Sequence, residues 1–228
     1  MDMTSTLQAP PVRAVLDRLF AAAALDDDTS PRLGPGRSFA SATAQERADA
    51  LDAVYMPISA RGGDLLYALA RASRPDTVIE FGTSFGISTL YLAAAIADNG
   101  TGRVIGTELS AAKVTAARAN LAEAGLDGQV TILAGDAMET LHDIPGPIGL
   151  VLLDGWKDLC LPVLRLLESR LMPGALVVAD DTTFPSMAGY LGYVRDPASG
   201  YVSVAFPVED GMEISCRASA SAAGAGHR

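Results

Sequence analysis

The sequence predicts an α/β fold in which seven strands form a mostly parallel sheet, with an antiparallel C-terminal hairpin and helices on both faces. From residue 76 onwards, short apolar segments alternate with longer segments of helical character. Short apolar strands separated by helices are typical of a parallel sheet that is covered on both faces. The last two apolar segments are joined by a tight turn at Glu209, Asp210 and Gly211, which indicates a hairpin.

The composition indicates a folded protein and argues against several kinds of partner. The 228 residues are enough for one large domain, and 49% hydrophobic with 19% charged residues indicates a folded chain. The net charge of -10 argues against nucleic acid and anionic membrane as partners, because both are themselves negatively charged. Cys160 and Cys216 do not have a zinc-binding spacing, and the first residues lack the pattern of a secretory signal. We therefore expect a cytoplasmic protein with reduced thiols and no membrane span.

Three helices are expected before the first strand, at residues 11–25, 43–55 and 59–73. A connector rich in Gly, Pro and Ser separates the first two. Thr43 is placed to cap the second helix, with Glu46 three residues later as in a capping box. These helices predict a cover on one side of the sheet. We divide the chain into an N-terminal cover segment (1–58), the main domain (59–217) and a disordered tail (218–228).

In the main domain, predicted strands and helices alternate along the chain. Strands are expected at 76–82, 102–109, 129–136, 148–154 and 174–180, followed by the hairpin at 201–217. Helices are expected at 86–97, 110–125 and 159–171, with a short helix after residue 136. Ser110 is a suitable N-cap for the helix that Gly125 ends.

Acidic residues follow three successive strands and indicate a ligand. Gly82 and Gly86 in the first strand-to-helix loop permit a tight turn and close approach to a ligand, although a plain turn is the alternative. Glu108, at the end of the second strand, is placed to accept both hydrogen bonds of a ribose diol. Asp136, after the third strand, is placed to accept a hydrogen bond from an adenine amino group. The alternatives are a solvated Glu108 and an Asp136 that caps the next helix.

S-adenosylmethionine is the ligand that this arrangement suits. Its sulfonium and ammonium groups match the acids, and it has no phosphate, in agreement with the lack of a phosphate-binding lysine motif. Glu80 is expected to face the amino-acid part of this cofactor. Further expected cofactor contacts are Gly82, Thr83, Ser88, Ala137, Asp154 and Trp156.

Two later strands also end in acids. The segment "IGLVLLDGWKDLCLP" leads a strand into Asp154, Trp156 and Lys157, and "GALVVADDTTF" ends in Asp180 and Asp181. Asp180 and Asp181 could cap a helix after "TTFPS", but adjacent acids at a buried strand end are costly without a cation. An ordinary ion pair for Lys157 and a core position for Trp156 remain open alternatives.

The chain resembles the small class I, S-adenosylmethionine- and divalent-metal-dependent O-methyltransferases, particularly catechol O-methyltransferase and its bacterial relatives. The resemblance covers roughly residues 59–217 and implies a Rossmann-like methyltransferase fold. It rests on "IEFGTSFGISTLYLA", on "GTELSAAKVTAARANLAEAGL", and on "LLDGWKDLCLP" paired with "VVADDTTF". The last pair is similar to the D-x-W-K and A-D-N segments of the catechol enzymes.

The resemblance implies a role for each matching residue. Asp154, Asp180 and Asp181 would bind Mg²⁺, or Mn²⁺ or Ca²⁺, Lys157 would be the general base, and Trp156 would pack near the adenine or the substrate entrance. The chain departs from the family pattern at Asp181, where Asn is usual, and at Gly155, where the catechol enzymes have His.

The expected reaction is Mg²⁺-dependent methylation of a hydroxyl on a small phenolic or catechol-like substrate. A metal held by the three aspartates would stabilise the oxyanion and orient two adjacent hydroxyls. Two alternatives remain: a metal-independent small-molecule methyltransferase, and a non-catalytic subunit that binds the cofactor. The family resemblance also implies a homodimer.

Overall fold

The computed structural model describes residues 5–26 and 38–218. Its centre is a seven-stranded sheet with the strand order β3-β2-β1-β4-β5-β7-β6. The strands are β1 (Thr77–Phe81), β2 (Arg103–Glu108), β3 (Val130–Ala134), β4 (Ile148–Leu153), β5 (Leu171–Ala179), β6 (Tyr201–Phe206) and β7 (Met212–Arg217). The first five are parallel, whereas β7 runs antiparallel to both β5 and β6. The predicted fold class and C-terminal hairpin are confirmed.

The register of the parallel strands sets where the site lies. Phe81 at the end of β1 is opposite Thr107 of β2 and Leu153 of β4, and Leu153 is opposite Ala179 of β5. The residues that follow these positions therefore emerge at one edge of the sheet. The predicted acids, which follow different strands, therefore lie together at this edge.

Helices cover the sheet on both faces, as predicted. They are α1 (Pro10–Ala23), α2 (Ala44–Ala50), α3 (Ala60–Ser73), α4 (Ile87–Asn99), α5 (Ala111–Glu123), α6 (Ala137–Thr140), α7 (Cys160–Leu167) and α8 (Ala188–Val194). One buried apolar cluster joins α1, α3, α4 and α5 to the sheet, and a second joins α6, α7 and α8 to the other face. Side chains alternate between the two clusters along a strand, as Val78 and Ile79 of β1 show.

Helix capping follows the sequence signals. Thr43 and Glu46 form the predicted capping box at the start of α2. Ser110 accepts a hydrogen bond from the Lys113 amide and so caps α5. The predicted hairpin turn is also present, with Glu209 and Gly211 at positive φ.

Several features differ from the prediction or fall beyond the description. Helices α2 and α7 end at Ala50 and Leu167, before the expected residues 55 and 171. Strand β5 begins at Leu171, three residues before the expected Gly174. The short helix α8 follows the segment "TTFPS", where the sequence indicated a helix only as one that Asp180 or Asp181 could cap. Most of the connector and all of the predicted tail except Ala218 lie outside the described residues. Within the described residues, no helix is long and apolar enough to cross a bilayer.

Candidate active site

A cavity of about 590 Å³ opens at the carboxyl edge of the sheet. Its walls come from the loops that follow β1, β2, β3, β4 and β5 and from residues 39–58 of the N-terminal cover. The predicted site residues that line it are Gly82, Thr83, Ser88, Glu108, Asp136, Ala137, Asp154, Trp156, Lys157 and Asp181. Glu80 and Asp180 are not among its lining residues. A concave site of this volume is typical of small-molecule binding.

The loop after β1 packs its backbone onto the turn after β4. Gly82 has a φ of +100°, and a Cβ at this position would lie 2.7 Å from the Gly155 nitrogen and 2.8 Å from the Asp154 carbonyl oxygen. Both the conformation and the contact require glycine. Because of this packing, the predicted cofactor loop adjoins the residue that carries the predicted catalytic carboxylate.

Glu80 is not among the residues that line the cavity, and its expected contact with the amino-acid part of the cofactor stays a prediction. It is fully buried in β1 and accepts hydrogen bonds from Thr83 (2.8 Å), Ser88 (2.7 Å) and Thr89 (2.6 Å). Burial raises the pKa of Glu80 to about 7, against the opposing effect of the three hydroxyl donors. The carboxyl group therefore links β1 to the loop and to the first turn of α4.

Glu108 is held by backbone amides at the edge of the cavity. One of its carboxylate oxygens accepts from the Ser84 amide and the other from the Ser110 amide, each at 2.8 Å. It is thus a fixed acceptor rather than a freely solvated side chain. Asp136 accepts from the Met138 amide at 2.8 Å and caps α6, as the structural alternative predicted, while it also lines the cavity.

Lys157 lies between two carboxylates. Its Nζ atom is 2.8 Å from Asp154 and 3.0 Å from Asp181. The side chains of Lys157 and Asp154 are largely buried, whereas that of Asp181 is 33% exposed. Burial disfavours the charged ammonium, but the two aspartates outweigh this effect and raise the pKa of Lys157. In this arrangement Lys157 is a protonated hydrogen-bond donor.

Asp180 and Asp181 are turned differently by the backbone. The Asp180 amide donates to the Leu153 carbonyl at 3.1 Å, which continues the pairing of β5 with β4. Asp181 has a φ of +55°, a left-handed conformation that Asp and Asn tolerate best among residues other than glycine. Burial raises the pKa of Asp180, and the charges of Asp154 and Asp181 add to this effect.

The predicted metal ligands fit a hard divalent cation in their chemistry. Asp154, Asp180 and Asp181 offer carboxylate oxygens, and the ammonium group of Lys157 stands as a cation between two of them. The positions of these side chains fit a cation less well than their chemistry does. In the described part of the chain, no three Asp, Glu, His or Cys side chains are grouped so that they could hold a metal ion.

Trp156 packs against the N-terminal cover. Its ring meets Phe39 edge-on at 5.7 Å between centroids, and the Arg47 guanidinium lies 4.9 Å from the centre of the indole. Gly155 leaves room for Phe81, because a Cβ at residue 155 would lie 2.5 Å from that ring. The ring of Phe81 therefore occupies the space that a side chain at residue 155, such as the His of the catechol enzymes, would need.

Several cavity residues were missed from the sequence. They are Phe39, Arg47, Tyr55, Phe85 and Lys113. Tyr55 stacks on Phe85 at 4.1 Å between centroids, and the Lys113 ammonium lies 5.5 Å from the Phe85 ring. Phe39, Arg47 and Tyr55 come from segments whose sequence carries no binding signature, whereas Phe85 and Lys113 lie within the predicted cofactor segments without having been singled out.

Comparisons with known proteins agree with this geometry. Residues 79–182 match a family model described as a methyltransferase domain. The chain is 30% identical over 174 residues to catechol O-methyltransferase B of Danio rerio, an alignment covering 70% of this chain and 65% of the relative. It is 32% identical over 141 residues to a catechol O-methyltransferase of Mycobacterium tuberculosis, covering 61% and 63%.

A solved structure shares the fold. The O-methyltransferase TomG from Streptomyces achromogenes, determined in complex with SAM, superimposes with a TM-score of 0.67 at 24% identity, covering 77% of this chain and 88% of TomG. The chain spans a little under two thirds of the length of the two curated relatives. The matched domain and the catechol O-methyltransferase relatives together support membership of the class I O-methyltransferase family, and the solved structure shows the same fold.

Proposed function

We propose that this chain transfers a methyl group from S-adenosylmethionine to a hydroxyl of a small catechol-like substrate. The observation that carries the proposal is one cavity lined both by Glu108, held by two backbone amides, and by Lys157, set between two aspartates. The catechol O-methyltransferases among its relatives support the substrate class.

The residues around the glycine loop fit the cofactor. S-adenosylmethionine would supply the methyl group from its sulfonium centre. Glu108 keeps free lone pairs for the ribose hydroxyls, because each of its oxygens accepts only one backbone hydrogen bond in the structure. Asp136 and Asp154 line the same cavity and favour a positively charged ligand. Gly82, Thr83, Ser88, Ala137 and Trp156 complete the proposed cofactor wall.

Asp154, Asp180 and Asp181 are the residues that would hold a divalent cation, with Mg²⁺ as our first choice. The cation would stabilise the oxyanion form of the substrate and orient two adjacent hydroxyls. Charge supports the proposal, since three carboxyl groups outnumber the single ammonium of Lys157, and burial together with the charges of Asp154 and Asp181 raises the pKa of Asp180. This excess is large for groups that are mostly buried.

Lys157 is the proposed general base. A phenol has a pKa near 10, so its hydroxyl must lose a proton to become a good nucleophile, as for tyrosine. In the structure the two aspartates keep Lys157 protonated. Neutralising those carboxylates lowers the pKa of Lys157 toward the range in which an amine accepts a proton. The base is therefore expected to work only when the negative charge around it is balanced.

A metal-independent methyltransferase is the second candidate, and one observation favours it. Lys157 pairs with both Asp154 and Asp181, so these carboxylates have a cationic partner without a metal. In that case Lys157 would hold the substrate hydroxyl by a hydrogen bond, and a nucleophile of lower pKa would be preferred. Metal dependence separates the two candidates.

The test is methyl transfer to matched acceptors, followed by mass spectrometry. We expect a monomethylated product from catechols and much slower reaction of phenols with a single hydroxyl, because only adjacent hydroxyls chelate a metal. Equal rates for the two acceptors would favour the metal-independent candidate. No product from any acceptor, together with cofactor binding in calorimetry, would contradict catalysis and indicate a non-catalytic cofactor-binding subunit.

A further inference from the structure

The N-terminal cover reaches the proposed catalytic turn through one arginine. Arg47 of α2 forms a bidentate pair with Asp158, with N–O distances of 2.9 and 3.0 Å. Its guanidinium also lies 4.9 Å from the centre of the Trp156 ring. Arg47 therefore contacts the residues on both sides of Lys157. Its side chain is only 13% exposed, so this position is defined by packing as well as by charge.

We propose that Arg47 is a positioning residue, which holds the turn of residues 155–158 so that Lys157 points at Asp154 and Asp181. The contact with the indole fixes the turn before Lys157, and the pair with Asp158 fixes it after Lys157. The catalytic consequence rests on the proposed function, whereas the effect on the turn does not.

This arrangement requires arginine because of the shape of its guanidinium group. The planar guanidinium can donate two parallel hydrogen bonds to a carboxylate while its face lies over an aromatic ring. A lysine at residue 47 would supply a charge but neither the bidentate geometry nor the flat contact. The hydrogen bonds from Arg47 also lower the pKa of Asp158, so the carboxylate stays ionised and paired at neutral pH.

The Arg47–Asp158 ion pair is expected to contribute little to the stability of the fold. Asp158 is about half exposed, with 51% of its side-chain surface accessible. Solvent screens the charge of the exposed partner, so the pair is expected to add little to stability. The contact should therefore matter more for the direction of Lys157 than for folding, which is what a positioning residue predicts.

A second contact ties the same cover segment to the cofactor loop. Tyr55 stacks on Phe85, and its carbonyl accepts a hydrogen bond from the Ser84 hydroxyl at 3.0 Å. The cover thus contacts the loop after β1 and the turn after β4. A segment attached at both places fixes the proposed base relative to the proposed cofactor, which is the geometry that methyl transfer needs.

The test uses the single tryptophan as an internal probe. Trp156 is the one Trp of the chain, so intrinsic tryptophan fluorescence reports on this turn alone. We expect Arg47→Gln to alter its emission and to increase quenching by acrylamide. We also expect kcat to fall about 10- to 100-fold with little change in the dissociation constant of S-adenosylmethionine. Arg47→Lys should not restore the wild-type values.

Arg18 provides a matched control. It pairs with Glu123 at 2.6 Å and so joins α1 of the cover to α5, away from the cavity. Arg18→Gln removes a more exposed ion pair, together with a hydrogen bond to Asn120, and should leave fluorescence and kcat unchanged. If Arg47→Gln fails to fold, Asp158→Asn removes the same pair from its exposed side and is measured instead.

Two results would overturn the proposal. One is wild-type fluorescence and kcat in Arg47→Gln, and the other is an equal loss of kcat in Arg47→Gln and Arg18→Gln. The fluorescence measurement needs no turnover. If the wild-type chain transfers no methyl group, the proposed function fails, and the emission of Trp156 still decides whether Arg47 orders the turn.

Discussion

Asp181 stands where the related catechol enzymes usually carry Asn, and the structure shows what its extra charge does. Its carboxylate pairs with Lys157 at 3.0 Å, and its φ of +55° suits Asp and Asn alike. The residue therefore raises the pKa of Lys157 and adds charge to the proposed metal site. Both effects come from the carboxylate and neither from the backbone.

Asp181→Asn separates these effects. The variant keeps an oxygen ligand and the backbone conformation, so we expect its melting temperature to stay close to that of the wild type. With one charge removed, half-maximal activity should need a Mg²⁺ concentration higher by on the order of 10-fold. Magnesium titrations of initial rate measure this, and an unchanged titration curve would show that the charge of Asp181 does not contribute to metal binding.

Lys157 is tested by two substitutions that differ in charge. Lys157→Met removes both the ion pairs and the base, and we expect a loss of kcat of about 10²- to 10⁴-fold. Lys157→Arg keeps a cation beside Asp154 but cannot deprotonate, so it should lose a similar amount. Steady-state kinetics compares the two variants. Activity retained in Lys157→Arg would rule out proton transfer and leave only a charge role.

At the scale of elements, the junction of β1 and α4 depends on a buried carboxyl. Burial raises the pKa of Glu80 from 4.5 to about 7, so the folded protein holds a proton that the unfolded chain releases between these values. The contribution of this proton to stability is complete below pH 4.5 and is lost as the pH rises to 7. The upper limit is about 3 kcal/mol, from 1.36 kcal/mol per pH unit.

Glu80→Gln removes that titration. The amide stays neutral at all pH values, and the hydroxyls of Thr83, Ser88 and Thr89 can rotate to donate or accept. Between pH 5 and 8, we expect the free energy of unfolding of Glu80→Gln to rise relative to that of the wild type. Urea denaturation at several pH values measures it, with the exposed Glu139→Gln as control. A parallel pH dependence in wild type and Glu80→Gln would contradict a raised pKa for Glu80.

The order of elements could be predicted from the sequence, and the positions of the strand-end acids followed from it. Apolar segments such as 148–153 mark buried strands, and parallel strands bring their carboxyl ends to one edge of the sheet. The depth of individual side chains could not be predicted in this way. Glu80 lies one residue inside the end of β1, and this single step turns it from the cavity into the protein interior.

At the scale of the whole molecule, the contacts between the cover and the main domain were beyond sequence reasoning. Arg47 and Asp158 are 111 residues apart, and no spacing rule links them. The sequence indicated where the acids and Lys157 would meet, because they share the periodic part of the fold. It could not indicate which face of a preceding helix would rest on them.

Metal removal is the measurement that tests the central claim most directly. Methyl transfer from S-adenosylmethionine to a catechol should be measured with Mg²⁺, with excess EDTA, and after Mg²⁺ is restored. We expect turnover to be lost in EDTA and to return with Mg²⁺, because Asp154, Asp180 and Asp181 would then hold the cation that activates the substrate. Turnover that is the same in EDTA would contradict the metal site and leave Lys157 acting on the substrate without it.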